Sequence, residues 1–260
     1  MPDTLQGLSV LITRPAAHAV SLCERVEFAG GIAIHAPMLE IRSVSNPSNT
    51  SKIDQLERYE KIIFISRNAV NYGLAELAIN QRGLTSQQLF AVGPGTAKSL
   101  QESGFGPVSI PVDEFSSAGL LRLGALQKSE LVGAKILIFR GLGGRELLSE
   151  TLQLRGAEVD YCEVYERAEP QFSLTETLVS AQASTPTIAV VTSLDSLNNL
   201  AKKIRAEALI ELFDMPLVVV GARIARGVAA LGFTNPPVIV DNPDDDTIID
   251  TLTRWAMDEL

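Results

Sequence analysis

The sequence predicts an α/β fold of two similar lobes, each a parallel sheet flanked by helices. Three observations carry this. First, short apolar runs recur along the 260 residues: VLIT (10–13), IIFIS (62–66), LFAVG (89–93), KILIF (135–139), IAVVT (188–192) and LVVVG (217–221). Each is nearly continuous rather than alternating, as expected of strands buried on both faces of a parallel sheet. Second, helix-compatible stretches follow, for example AVNYGLAELAI (69–79) and DSLNNLAKKI (195–204), and repeated strand-then-helix is α/β architecture. Third, the chain repeats itself. VLITRP matches ILIFRG, with Arg14 against Arg140, 126 positions on (140 − 14). FISRNAV matches VVTSLDS, with Ser66 against Thr192, again 126 (192 − 66). AVGPGTAKSLQESGF matches VVGARIARGVAALGF, with Gly93 against Gly221, 128 (221 − 93). So long a period marks a duplicated domain rather than a solenoid.

Taken in order, VLIT is the first strand, and the helix after it carries His18 on its surface. HAPMLEIRSV (35–44), which holds His35, and VDYCEVYERAEP (159–170) are extended and mix polar with apolar residues. Each follows the first helix of its half, and both read as connectors. SNPSNTS (45–51) reads as a loop on its Asn, Pro and Ser. LFAVGPGTAKSL (89–100) is a strand, a Gly-Pro-Gly turn and a helix opening at Thr96, Ala97 and Lys98. Free N–H groups and the helix dipole make such a start suitable for an anion. NPDDDT (242–247) reads as the start of a last helix, since aspartates are favoured in a first turn.

Composition and motifs exclude several function classes. Hydrophobic residues at 46% and charged residues at 20% are ordinary for a globular chain, and the net charge of −9 argues against nucleic acid. The start, MPDTLQGLSVLITRP, lacks a basic region, and its apolar run is too short for a signal peptide or a membrane span. A cytoplasmic protein with no membrane partner is expected. Cys23 and Cys162 form no redox, metal or disulfide pattern and read as reduced, buried thiols. The two histidines sit in no ligand pattern, so no metal is expected. Gly93 and Gly95 are followed by Lys98 where a dinucleotide fingerprint needs glycine, and Gly141, Gly143 and Gly144 are out of register too. No phosphate-binding P-loop and no nucleophile elbow is present. No cofactor is expected.

What remains is the ends of the strands, where open parallel sheets bind ligands. Thr13 and Arg14 close VLIT, and Arg67 and Asn68 follow IIFIS with its Ser66. Gly93 and Gly95 form the Gly-Pro-Gly turn after LFAV, and Thr96 follows it. Arg140 and Gly141 follow KILIF with Arg145 close behind, Thr192 and Ser193 follow IAVV, and Gly221, Ala222 and Arg223 follow LVVV. Arginines beside glycines and hydroxyls describe a surface for carboxylates or phosphates. Two readings of Ser66, Asn68 and Ser193 stand: ligand contacts, or helix N-caps.

Strand-T-R-P near the start, F-x-S-x-N-A-V, A-V-G-x-G-T-A, E-V-Y-E-R and a degenerate second V-G turn together resemble the uroporphyrinogen-III synthases along the whole chain. The resemblance implies two flavodoxin-like α/β lobes joined by a two-stranded β-ladder. Residues 1–36 and 167–260 would form one lobe, residues 38–165 the other, and the two connectors would supply the ladder. It implies a substrate, hydroxymethylbilane, a linear tetrapyrrole with eight carboxylates. The enzyme expels the terminal hydroxyl as water, inverts ring D through a spiro intermediate and closes the macrocycle without cofactor or metal. The strand-end residues named above would then bind carboxylates. Tyr165 matches the family tyrosine that assists loss of the hydroxyl; a purely structural role for it stays open. One departure stands out. The family's last turn reads G-P-T-T-A, whereas here it is Gly221-Ala222-Arg223-Ile224-Ala225. The rival reading is a two-lobed cytosolic binding module for a small polycarboxylate or other anion. A monomer is expected.

Overall fold

Apolar runs become strands in the order the sequence lays them down. The structure, a computed structural model, describes residues 4–144, 146–182 and 185–259. The chain runs β1 (Ser9–Ile12), α1 (Val20–Phe28), β2 (Ile32–His35), β3 (Glu40–Ser43), α2 (Pro47–Asp54), β4 (Lys61–Phe64) and α3 (Arg67–Ile79). It continues through β5 (Gln88–Ala91), α4 (Pro94–Glu102), β6 (Val108–Ser109), α5 (Ser117–Leu120), β7 (Lys135–Gly141), α6 (Leu147–Leu154) and β8 (Glu158–Ala168). The last part is α7 (Leu174–Ser180), β9 (Ile188–Val191), α8 (Leu194–Ala206), β10 (Leu217–Val220), α9 (Gly221–Val228), β11 (Val238–Val240) and α10 (Asp245–Glu259).

Two compact units result: Met1–Glu40 with Ala168–Leu260, and Ile41–Arg167. These borders lie a few residues from those the resemblance implies. Met38 explains the first difference, because it is buried in the first unit's core and its N–H donates to the Thr13 carbonyl at 3.0 Å.

The first unit holds a sheet in the order β11-β10-β9-β1-β2, with parallel pairings throughout. The second holds β3-β8-β7-β4-β5-β6, parallel from β8 to β6. The internal repeat explains the likeness. Arg14 and Arg140 follow or end β1 and β7, Ser66 and Thr192 follow β4 and β9, and Gly93 and Gly221 follow β5 and β10. On those matches β11-β10-β9-β1-β2 corresponds to β6-β5-β4-β7-β8, place for place. The order in space is the same in both units, while the order along the chain is permuted. In each unit the chain reverses its direction of strand addition beside a central pair, β1 with β9 and β4 with β7, and such switch points open a crevice at the strand ends.

Both faces of each sheet are covered. In β1, Leu11 packs into one apolar cluster while Val10 and Ile12 pack into another. In β7, Leu137 and Phe139 face one cluster and Ile136 and Ile138 the other. Burial on both faces is why the strands carry no polar alternation. Phe139 stacks on Phe64 with ring centroids 4.8 Å apart. A Cβ on Gly73 of α3 would lie 2.7 Å from Phe139 Cδ1, so glycine sets the spacing of helix and sheet there.

Two expectations need correction, and one stands. The stretch 45–51 is not a loop: α2 begins inside it, with Asn46 as N-cap accepting from Ser48 N–H at 2.9 Å and Pro47 in the first turn. Asn before Pro is a helix start as much as a turn. The two connectors do supply strands that neighbour each other, as expected: β3 lies within 35–44 and is hydrogen-bonded to β8, which covers most of 159–170. His35 ends β2, which pairs with β1, and β8 pairs with β7 and neighbours β3 at the edge of the second sheet. Their mixed composition reflects incomplete cover near a sheet edge. His18 ends a short 3-10 turn, Ala16–His18, ahead of the first α-helix.

Candidate active site

In the second unit the crevice at the β4/β7 switch point is a cavity of about 330 Å³. Ile65, Gly141, Leu142, Gly143, Gly144, Tyr165, Glu166 and Arg167 line it. A bulge in the β7/β8 pairing aims Tyr165. Arg140 opposes Glu163 but Gly141 opposes Tyr165, so Val164 is the extra residue. Consecutive side chains, Val164 and Tyr165, are therefore both buried on the same cluster. The Tyr165 ring lies against Gly141, where a Cβ would come within 2.7 Å of Cε2 and Cζ. Its hydroxyl is 3.0 Å from Ser66 Oγ, and Tyr72 stacks on the ring at 6.0 Å.

Ser66 is the N-cap of α3, accepting from Ala69 N–H at 3.1 Å. Of the two readings left open, capping is therefore what its oxygen does, with Tyr165 as a second partner. Asn68 lies inside the first turn of α3 and is not a cap. Arg67 is exposed, and its Cδ lies 3.8 Å from where a Gly95 Cβ would sit. Gly93 precedes α4 with no side-chain cap, so this helix start stays open, with Phe115 packed beside Gly93. Thr96 is buried within α4. Phe115 is a half-exposed neighbour of this turn that no local sequence signal marks, because a distant loop supplies it.

Arg140 differs from the residue the sequence suggested. It is 3% exposed and its guanidinium is spent inside the unit. It donates to Glu146 Oε1 at 3.0 Å, to the Gly141 carbonyl at 3.2 Å and to the Gly143 carbonyl, and it lies 4.2 Å over the Tyr161 ring. The Tyr161 hydroxyl donates to Glu146 Oε2 at 2.6 Å. That bond, then those from Arg140 and Ser149, hold the Glu146 carboxyl below its ordinary range despite some burial. Arg145 lies outside the described residues.

The first unit gathers its candidates at the ends of β1, β9 and β10. The Thr13 hydroxyl is buried and donates to the Val190 carbonyl at 2.8 Å. Arg14 is buried too. It pairs with Asp245 Oδ1 at 2.5 Å and donates to the Pro243 carbonyl, fastening β1 to the start of α10. Ser193 caps α8 through Ser196 N–H at 3.0 Å, and Thr192 beside it is half-buried. Gly221 opens α9 at φ +77°, a conformation suited to glycine, and Ala222 and Arg223 after it are exposed. The four strand-end arginines thus divide. Arg14 and Arg140 are internal struts, while Arg67 and Arg223 face solvent without a carboxylate partner among the described residues.

Among the described residues no group of three His, Cys, Asp or Glu could hold a metal ion. Burial pushes the Cys162 thiol up to about 12, so it stays protonated and inert. No helix among the described residues is long and apolar enough to cross a membrane.

Residues 21–249 match the family model described as uroporphyrinogen-III synthase HemD. The chain is 34% identical to the uroporphyrinogen-III synthase of Salmonella typhimurium over 251 residues, covering 94% of this chain and 100% of that one. The chain belongs to the uroporphyrinogen-III synthase family. The Escherichia coli uroporphyrinogen-III synthase is 32% identical over 248 residues, again covering 94% of this chain and 100% of its own. Among solved structures, a mutant uroporphyrinogen III synthase from Thermus thermophilus aligns with a TM-score of 0.62 at 15% identity, covering 98% of this chain and 100% of that one. The Helicobacter pylori uroporphyrinogen-III synthetase aligns with a TM-score of 0.57 at 16% identity, covering 96% and 99%. At such identities the likeness is one of fold, and it extends to the two parallel-sheet units described above. Members of the synthase family are cyclising lyases of tetrapyrrole biosynthesis.

Proposed function

We propose that this chain converts hydroxymethylbilane to uroporphyrinogen III in the cytoplasm, as a monomer and without a cofactor. The observation that carries the reading is the glycine-walled cavity at the β4/β7 switch point, with Tyr165 in its wall and the Tyr165 hydroxyl 3.0 Å from Ser66 Oγ, in a chain of this family. The pyrrole nitrogen expels the terminal hydroxyl as water. Tyr165 donates a hydrogen bond to the departing oxygen, with Ser66 fixing the phenol. The azafulvene that remains is attacked by the substituted α-carbon of ring D. The spiro intermediate breaks that carbon's original bond to its bridging methylene. The freed methylene is captured by the ring's other α-carbon, which loses its proton, so that the macrocycle closes with ring D inverted. Eight carboxylates need donors rather than acid–base machinery. In the second unit Arg67 and the open start of α4 at Gly93 and Gly95 offer guanidinium and amide N–H groups, and in the first unit the Gly221–Arg223 turn offers its own. In this reading Arg223 takes over carboxylate contacts from the hydroxyls that the family's turn carries.

Thermal denaturation tests the ligand class. Uroporphyrinogen III at about a hundred times its Kd adds about 2.7 kcal/mol to the native state. No shift with the porphyrinogen would remove the reading.

A further inference from the structure

We infer that Arg140 is a positioning residue that turns the Gly144 amide N–H into a carboxylate donor of the active-site cavity. The inference rests on the proposed activity and names a binding group within it. Arg140 cannot meet substrate itself, since it is 3% exposed and surrounded by its own partners. What it does hold is the backbone of the loop that lines the cavity. Its Nε takes the Gly141 carbonyl at 3.2 Å and its Nη2 the Gly143 carbonyl. In a planar trans peptide the C=O and the following N–H point in opposite directions. The Gly141–Leu142 peptide obeys this: its carbonyl is on Arg140 and the Leu142 N–H donates outward to the Tyr165 carbonyl at 2.7 Å. The Gly143–Gly144 peptide has its carbonyl on Arg140 as well, so the Gly144 N–H is directed away from the buried guanidinium, and Gly144 itself lines the cavity. Gly143 N–H is taken by Glu163 Oε1 at 3.3 Å and Leu142 N–H by the Tyr165 carbonyl, so among the described residues 142–144 the Gly144 amide is the donor left for a ligand.

Glycine is required at this point. Gly144 has φ +110°, and a Cβ there would lie 2.8 Å from Arg140 Nη2. Glu146 completes the device. It accepts from Arg140 at 3.0 Å and from Tyr161 at 2.6 Å, fixing the guanidinium from the far end of the loop without lining the cavity.

The test compares Arg140→Met, Arg140→Lys and Glu146→Ala with wild type, in turnover of hydroxymethylbilane and in hydrogen exchange of residues 141–144. Each variant should raise KM about tenfold, the scale of one hydrogen bond to a charged group, with kcat within about twofold, and each should speed loop exchange. A raised KM in Arg140→Met with unchanged exchange and an unaffected Glu146→Ala would make Arg140 a direct ligand. Faster exchange with unchanged KM would mean that the amide binds nothing. Either result overturns the inference. Wild-type formation of isomer III is measured first. Its absence would sink the proposed activity, while the exchange comparison would still decide whether Arg140 orders the loop.

Discussion

Arg14, Arg67, Arg140 and Arg223 occupy the same kind of place in the sequence, just at or past an apolar run, yet the fold uses them in two ways. Arg14 is paired with Asp245, 231 residues away, and Arg140 with the backbone of its own loop. No local pattern reports such partners, so the sequence marks where arginines lie but not which are free. Two consequences follow at this scale. Arg223→Ala should raise KM about tenfold, as loss of one charged hydrogen bond does, with kcat kept; an unchanged KM would assign binding to the backbone of the turn. Tyr165→Phe should lower kcat about a hundredfold, the lower end for a positioned acid. Losing the Ser66 contact costs only about 1 kcal/mol, so the variant stays folded. Unchanged turnover would leave Tyr165 a packing residue.

Elements were legible where period and caps agree. The six apolar runs became strands, and Gly93-Pro94 and the aspartates before α10 became helix starts. Helix α2 was hidden because Asn46-Pro47 suits a turn and a helix N-terminus equally. The bulge at Val164 was hidden because it shows only in the pairing of β8 with β7. A cap supplied from afar is equally silent in sequence. Ser173 caps α7 locally, but Glu207 accepts from Leu174 N–H at 2.8 Å, from Thr175 N–H at 2.7 Å and from both hydroxyls. Burial alone would raise the Glu207 carboxyl, but these bonds outweigh it and hold it below its ordinary range. A depressed folded-state value means stabilisation that is full above the unfolded value of about 4.3 and is lost as pH falls through the folded one. Glu207→Ala should cost about 1–2 kcal/mol at pH 7, as loss of a helix cap does. The gap in Tm to wild type should close in acid, and a gap independent of pH would show that the carboxylate's charge is not what stabilises α7.

For the whole molecule, the duplication was legible in three matched segments, but the assignment of strands to units was not. Both sheets share one spatial order while the chain enters them at different points, so the repeat read along the sequence alone cuts the units wrongly. Residues 1–40 and 168–260 are brought together by parallel pairing of β1 with β9, a contact that periodicity cannot report. In the proposed reaction, catalysis lies in holding the bilane rather than in strong acid or base groups. Ideal orientation is worth at most ~7–11 kcal/mol, ample for steering one ring closure over another. The product isomer tests this most directly. Purified protein is given fresh hydroxymethylbilane, the products are oxidised, and the uroporphyrin isomers are separated beside an enzyme-free control. Catalysis by holding the bilane should give mostly isomer III with the protein and isomer I without it. Isomer I alone from folded protein would contradict it, and would leave a polycarboxylate-binding module as the better description.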